Sequence, residues 1–394
     1  MADDTFQKLD SAVADSEALF DELIRQLTDN REYHRLFDAI MMRKKHELGL
    51  PLSRPGALED VPEHHREAAE QTYVDAARQV GRLLVEDGKL GEAWVYLRTI
   101  REPELVRAAI DAAEVDPDNF EATEQLINVA LYEGAHPVKG LELLLNSHGI
   151  CNTVTATDQQ LANMADDERQ QVAQLLVASI YDDLRQSVLA DVRRKVPTEE
   201  PDKSLKELIA GREWLFADGN YHIDVSHLNA IVRFSRALDA SCPELKLAVE
   251  LAEYGRNLDE PLQYPAEPPF DQFYEAHVHY LRVLLGKNPD QSLAWFRKRL
   301  ANEPDQRDQQ MAAYVLVDLL RRVDKLDDAV HFAGEHLQDL DDPQGFSFGA
   351  LCYEAKAFDR LLEAAKEKSD AVTYVSALLA KRDDAAEGGQ STDA

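Results

Sequence analysis

A chain of 394 residues with 44 % hydrophobic content can bury a real core, as two or three ordinary domains or one extended repeat structure, and is not a disordered protein. Its 74 acidic against 43 basic side chains leave a formal charge of −31, a field that repels phosphate backbones and anionic lipid and argues against a nucleic-acid partner. Such acidity also suits a protein adapted to high salt. Few Gly and Pro, and long runs of Ala, Leu, Glu, Arg, Asp and Gln, predict an all-α fold. The N-terminus, MADDTFQKLD, has no basic region followed by an apolar core, and no window approaches about 18 uninterrupted apolar residues, so a cytoplasmic protein with no membrane partner is expected. Cys151, Cys242 and Cys352 lie far apart with no Cys-x-x-Cys spacing, which disfavours a disulfide framework and a structural zinc site.

Residues 1–50 read as an N-terminal helical hairpin. Phe6, Leu9, Val13, Leu19, Leu23 and Leu27 form one stripe, and Leu36, Phe37, Ile40 and Met41 form the second. Pro51, Pro55 and Gly56 mark a loop, and Pro62 stands at a helix start with Glu63 beside it. A first helical-repeat array is predicted over 63–195. Within it, TYVDAARQVGRLLVEDGKLGEAWVYLRTI reads as helix, a turn at Asp87-Gly88-Lys89, and helix, with Ala77, Gly81, Leu84, Gly88, Ala93 and Leu97 at a characteristic spacing. A further helix, 103–113, comes next, then AAEVDPDNFEATEQLINVALYEG and a partner helix over 137–146.

That spacing resembles the tetratricopeptide repeat, in which small residues let two antiparallel helices approach, and Ala112 and Pro117 match its repeat-ending Ala and Pro. The extra helix at 103–113 lengthens the family's period of about 34 residues, and Ala77 stands where its large aromatic is usual. The resemblance implies an α-solenoid of antiparallel helical hairpins whose concave groove holds a peptide or helix of a partner protein, with no catalytic residue and no cofactor. An acidic groove would prefer a basic peptide.

Downstream, ICNTVTATD has a strand-like composition and is expected to cross the surface as a loop. A long helix from Asp166 or Asp167 to Lys195 buries Val172, Leu176, Ile180, Leu184, Val188 and Val192 along one face. Residues 196–225 read as linker and junction between two arrays: Pro197 to Pro201 is the linker, and Ser204 with Glu207 makes a capping box for a short helix reaching about Phe216, with Trp214 buried. A second array is predicted over 226–381, with hairpins that share a Lys325-Leu326-Asp327 and Ala357-Phe358-Asp359 pattern. A last helix over 371–379 caps it, and 382–394 form a disordered acidic tail.

The densest chemistry lies in the junction, REWLFADGNYHIDVSHLNAIVRFSR. His222, Asp224 and His227, with Tyr221, offer a carboxylate between two imidazoles, a ligand set for a divalent transition metal such as zinc, iron or manganese. The simpler reading makes Asp224 or Ser226 a helix N-cap and packs Tyr221 and His222 against Trp214. His277 and His279 are two residues apart on a helix, about 200° around it, and cannot share one metal; surface or groove positions are expected for them. Gly81 to Lys89 fails as a phosphate loop because Leu90 replaces the magnesium-binding hydroxyl. The basic runs Arg43-Lys44-Lys45, Arg193-Arg194-Lys195 and Arg297-Lys298-Arg299 read as helix faces or C-terminal charges before anion sites. Two functions remain: a protein-interaction scaffold, and a helical metalloenzyme or ligand-binding protein with its site at the junction.

Overall fold

Left-handed residues at helix C-termini set where the chain reverses. At Gly88, Asp324 and Lys356 the same turn recurs, each φ lying between 54° and 73°. In each, the next residue's N–H reaches back more than a full turn (Lys89 to Leu84, Lys325 to Leu320, Ala357 to Cys352, at 2.8–2.9 Å), and the left-handed residue's own N–H bonds the carbonyl three before it. These are Schellman ends, which satisfy the last helix carbonyls while folding the chain into a hairpin. The structure, a computed structural model, describes residues 2–113, 119–342 and 346–390. They fall into two compact units, Met1–Met164 and Ala165–Ala394. The fold is all-α: among the described residues the only strand pairing is the two-residue ladder Asp341–Asp342 against Phe346–Ser347.

The first unit contains α1 (Ala2–Ala12), α2 (Ser16–Asp29), α3 (Tyr33–Glu47), α4 (Glu63–Glu86), α5 (Leu90–Thr99), α6 (Glu104–Asp111), α7 (Phe120–Ile127) and α8 (Pro137–Gln160). The expected single helix up to Leu27 is two, because Asp15 accepts bonds from the N–H groups of Glu17 and Ala18 and starts α2 afresh. Helices α4 and α5 form the predicted hairpin. A Cβ on Gly81 would lie 2.6 Å from Leu97 Cγ, so only glycine allows this approach. Ala77, Val80, Leu84, Ala93 and Leu97 fill the seam and join a core with Leu36, Met41, Val106 and Ile110. Helix α7 runs on into one π-helical turn, Asn128–Tyr132, and Trp94 Nε1 and Arg107 Nε hold its exit by donating to the carbonyls of Glu133 and Ala135 at 2.9 and 3.0 Å. Pro117 of the repeat-ending pair lies outside the described residues.

The expected loop ICNTVTATD is the second half of α8. Gly149, at φ +76°, redirects the helix, and the hydroxyls of Thr153 and Thr157 donate to the carbonyls of Gly149 and Thr153. Both threonines are fully buried, so packing overrides their weak helix propensity.

The second unit contains α9 (Asp166–Lys195), α10 (Leu205–Ile209), α11 (Val225–Phe234), α12 (Glu244–Gly255), α13 (Phe273–Leu284), α14 (Pro289–Asn302), α15 (Gln306–Arg322), α16 (Leu326–His336), α17 (Phe348–Glu354), α18 (Phe358–Glu367) and α19 (Ala371–Gln390). The apolar face of α9 packs against α10, α11 and α12. The predicted division, 63–195 and 226–381 around a junction at 196–225, thus differs from the observed one: α9 belongs with the helices C-terminal to it. Neither is 196–212 a free linker. Arg185 donates to Pro201 O at 2.7 Å, Arg193 to Glu199 O at 3.0 Å, and the buried Glu199 carboxylate pairs with Lys203 at 2.5 Å and with Arg212. Tyr181, Glu250 and the N–H groups of Leu205 and Lys206 then tie α9, α10 and α12 together at 2.9–3.0 Å. The capping box at Ser204 and Glu207 is present, but α10 stops at Ile209. Trp214 sits in a short 3₁₀ turn, half-buried beneath Lys195 Nζ at 3.7 Å, while Leu215 and Phe216 are the buried residues.

At the far end α19 packs on α18, as a last covering helix is expected to, but leaves Val372, Val375, Leu378 and Leu379 exposed on its own outer face. It also runs on through the predicted tail to Gln390; residues 391–394 lie outside the described residues.

His277 also departs from expectation. It is 1 % exposed, between Phe270 and Phe273, with Nδ1 bonded to Phe273 O at 2.7 Å and Nε2 without a partner. Burial, helped by the Arg236 charge, pushes its pKa down to about 3. The unfolded chain therefore takes up this proton first. The stability is fully present above the unfolded pKa of about 6.5 and is lost as pH falls toward about 3. His277→Phe, which keeps a ring in an aromatic box, should flatten the decline of melting temperature between pH 7 and pH 4; an unchanged slope would place the acid sensitivity elsewhere.

Candidate functional site

The junction is built on a turn in which Asp218 and Gly219 both have positive φ, closed by Asn220 Nδ2 donating to Leu215 O at 2.8 Å. The turn delivers His222 to the gap between α9 and α12. Its backbone N–H donates to Tyr254 Oη at 3.0 Å, its Nδ1 lies 2.9 Å from the same oxygen, and its Nε2 lies 3.3 Å from Asp191 Oδ2. With Tyr254 accepting the N–H and donating to Nδ1, the network assigns the imidazole proton to Nε2, which donates to Asp191. The side chain is 5 % exposed, and burial holds its pKa below the usual histidine value against the opposing pull of Asp191. Phe216 packs on both rings, at 5.1 Å from Tyr254 and 6.3 Å from His222.

Asp224 is the N-cap of α11. One oxygen, Oδ1, accepts from Ser226 N at 2.8 Å, Ser226 Oγ at 2.5 Å and His227 N at 3.4 Å, and these bonds, that from the Ser226 hydroxyl foremost, hold its carboxyl below the usual range. His227 is thus placed in the first turn, with its N–H spent on the cap. The three residues proposed as metal ligands are not brought to one centre: His222 has both ring nitrogens committed, and Asp224 caps a helix. Among the described residues no group of three His, Cys, Asp or Glu could hold a metal ion. The stretch is a clamp between α9, α11 and α12. Tyr221 is exposed beside it, on the rim of an open depression that Asp191, Arg194 and His222 also line. Asp224→Ala should lower stability by about 0.5–2 kcal/mol in urea unfolding, as a lost cap does, while His227→Gln should change it little.

The basic runs are also spent on the fold. Arg43 pairs with Asp21 at 2.8 Å, and the buried Lys45 donates to Arg54 O at 2.5 Å. Arg194 meets Asp191 at 3.2 Å, Arg297 meets Asp328 at 2.5 Å, and Arg299 meets Asp271.

A recess of about 990 Å³ lies in the first unit, between the turn after α4, the end of α6, and α7. Leu90, Ala109, Ala122, Leu126 and Val129 are apolar residues of its lining, which also includes the small residues Gly88, Gly91 and Ala113. Glu92, Glu124 and Glu133 stand on the lining against one cation, Lys89. His34 bonds Glu92 at 2.8 Å and His148 reaches Glu124 at 3.1 Å. The small residues were visible in the sequence, but their convergence from three helices was not. Family models, curated proteins and solved structures give no match to this chain. No helix among the described residues is long and apolar enough to cross a membrane.

Proposed function

We propose that the protein is an interaction scaffold whose consecutive hairpins form tetratricopeptide-like arrays, pieces of an α-solenoid, and whose first unit docks a basic peptide or helix of a partner protein. The observation that carries this reading is the cleft, whose lining combines apolar side chains that reward a buried group with three carboxylates that orient a cation. The glycine-permitted seam of α4 and α5 and the three matching Schellman turns support the repeat reading. No catalytic residue or cofactor enters it.

The test is selection of peptides from a random helical library on the intact protein. Basic amphipathic sequences should be enriched, bind less tightly as salt rises, and lose roughly ten-fold in affinity on Glu124→Lys or Glu133→Lys. Enrichment of acidic or neutral sequences, or affinity indifferent to both substitutions, would overturn the cleft as the site. Duplex DNA should not bind at physiological salt, because the chain's charge of −31 opposes phosphate contacts.

A further inference from the structure

Helix α19 has two sides of different character. Its inner side is seated: Ala377 is fully buried, Lys381 pairs with Asp359 of α18, and Asp384 pairs at 2.5 Å with Lys356, which stands just before α18. Ser376 adds a 2.5 Å bond to Tyr353 of α17. On the other side Val372, Val375, Leu379, Arg382 and Ala386 follow one another in steps of three and four, so they form one stripe along the helix. All five are exposed, Val372 at 82 %. No charged side chain stands between Ala371 and Ala380, in a chain of which 30 % is charged. A contiguous apolar patch of this kind marks a contact surface, where single exposed aliphatic residues would not.

The spacing selects the kind of cover. Aliphatic residues in three-four steps make the seam of one helix laid lengthwise on another, not the lining of a small-molecule site. The charges at the two ends of the seam select which helix. At its start Asp370 caps α19, accepting from the N–H groups of Val372 and Thr373 at 3.0 Å. Toward its end Arg382 stands in the stripe itself, bonded to its neighbour Asp383 at 2.7 Å. A carboxylate at one end and a guanidinium at the other make the stripe complementary to itself run in the opposite direction. Antiparallel, Val375 lies against Leu379 of the other copy, Arg382 lays its stem on that copy's Val372 and reaches its Asp370, and Asp383 approaches the positive end of the facing helix. Parallel, Arg382 would meet Arg382 and Asp383 would meet Asp383, like charge against like.

We infer that α19 is a self-association surface: a second copy of this chain covers the stripe with its own α19, antiparallel, in a closed two-fold contact. A single helix pair buries less than the ~800 Å² per partner of a stable interface, so the dimer is a weak one, with a dissociation constant of roughly 10–100 μM. The charge of −31 on each copy opposes the approach, and association should tighten as salt screens that field between about 0.15 M and about 1 M NaCl. The contact uses no residue of the first-unit cleft.

Sedimentation equilibrium of the full chain should show the weight-average mass rising from 44.4 kDa toward twice that value as concentration passes through the micromolar range. Leu379→Lys, at a position 46 % exposed, should weaken association roughly ten-fold even though it lowers the net negative charge. Met311→Lys on α15 makes the same charge change at an equally exposed position and should leave association unchanged. In a Cys151→Ser background, which removes the exposed native thiol, a mixture of Val375→Cys and Leu379→Cys chains should form a disulfide-linked pair on oxidation far more readily than either variant alone. A monomer at several hundred micromolar, mass growing past the dimer, or association indifferent to Leu379→Lys would each overturn the inference. So would association that weakens with salt, which assigns the contact to charge, or Val375→Cys chains that link alone as readily as in the mixture.

Discussion

Gly255→Ala should destabilise the second unit by about 2–3 kcal/mol, although alanine is the better helix former by about 1 kcal/mol. A Cβ at the last residue of α12 would sit 2.3 Å from two ring carbons of Tyr274 and 2.6 Å from a third. That ring is fully buried on α13, with Phe273 edge-on at 5.0 Å, so it has no room to retreat and the two helices must part. Gly334→Ala is the matched control. Its Cβ would meet Phe348 at 3.6 Å, ordinary contact, and the substitution should raise stability by about 0.4–1 kcal/mol. Urea unfolding of the two variants should move in opposite directions; a Gly255→Ala protein as stable as the parent would mean that α12 and α13 are not packed this closely.

Two buried tyrosines give a second pair of opposite outcomes. Tyr254 and Tyr274 are both fully buried, and burial raises both phenol pKa values beyond the usual range. Only Tyr254 has its hydroxyl engaged, by the N–H and Nδ1 of His222, whereas that of Tyr274 has no partner. Tyr254→Phe leaves two groups of a buried residue unpaired and should cost about 2–3 kcal/mol. Tyr274→Phe removes an unsatisfied hydroxyl and should be neutral or stabilising by about 1 kcal/mol. Equal losses from both would show that Tyr274 holds a buried water that matters to the fold.

What the residues disclosed in advance was mostly local. The α4–α5 hairpin was legible because its small residues recur at helical spacing around an Asp-Gly turn, and the cap at Asp224 because an N-cap acts on the next three residues. The second half of α8 was not, since its β-branched residues favour a strand on propensity and are held helical only by burial and by threonine hydroxyls bonded one turn back. His222 was singled out correctly as part of the junction and assigned the wrong neighbours. Its partners Asp191 and Tyr254 lie 31 and 32 residues away on α9 and α12, beyond the reach of a local pattern. The proline and glutamate run at 197–201 looked like a tether because its polar composition says nothing of the arginines on α9 that seize its carbonyls. Trp214 was expected to be buried on a helix begun by the capping box at Ser204, but that helix stops at Ile209 and the ring lies half-buried under Lys195 instead.

Because α9 is the surface on which α10, α11 and α12 are laid, the place to divide this chain for expression is not where its composition changes. A fragment starting at Val196 would present to water the faces that Val172, Leu176, Ile180, Leu184, Val188 and Val192 now cover, and would lose the Asp191 anchor of His222. A fragment ending at Lys195 would carry the same stripe of six aliphatic residues uncovered, at the right spacing to aggregate or to pair with a second copy. Cut between Met164 and Ala165, neither piece inherits that stripe bare.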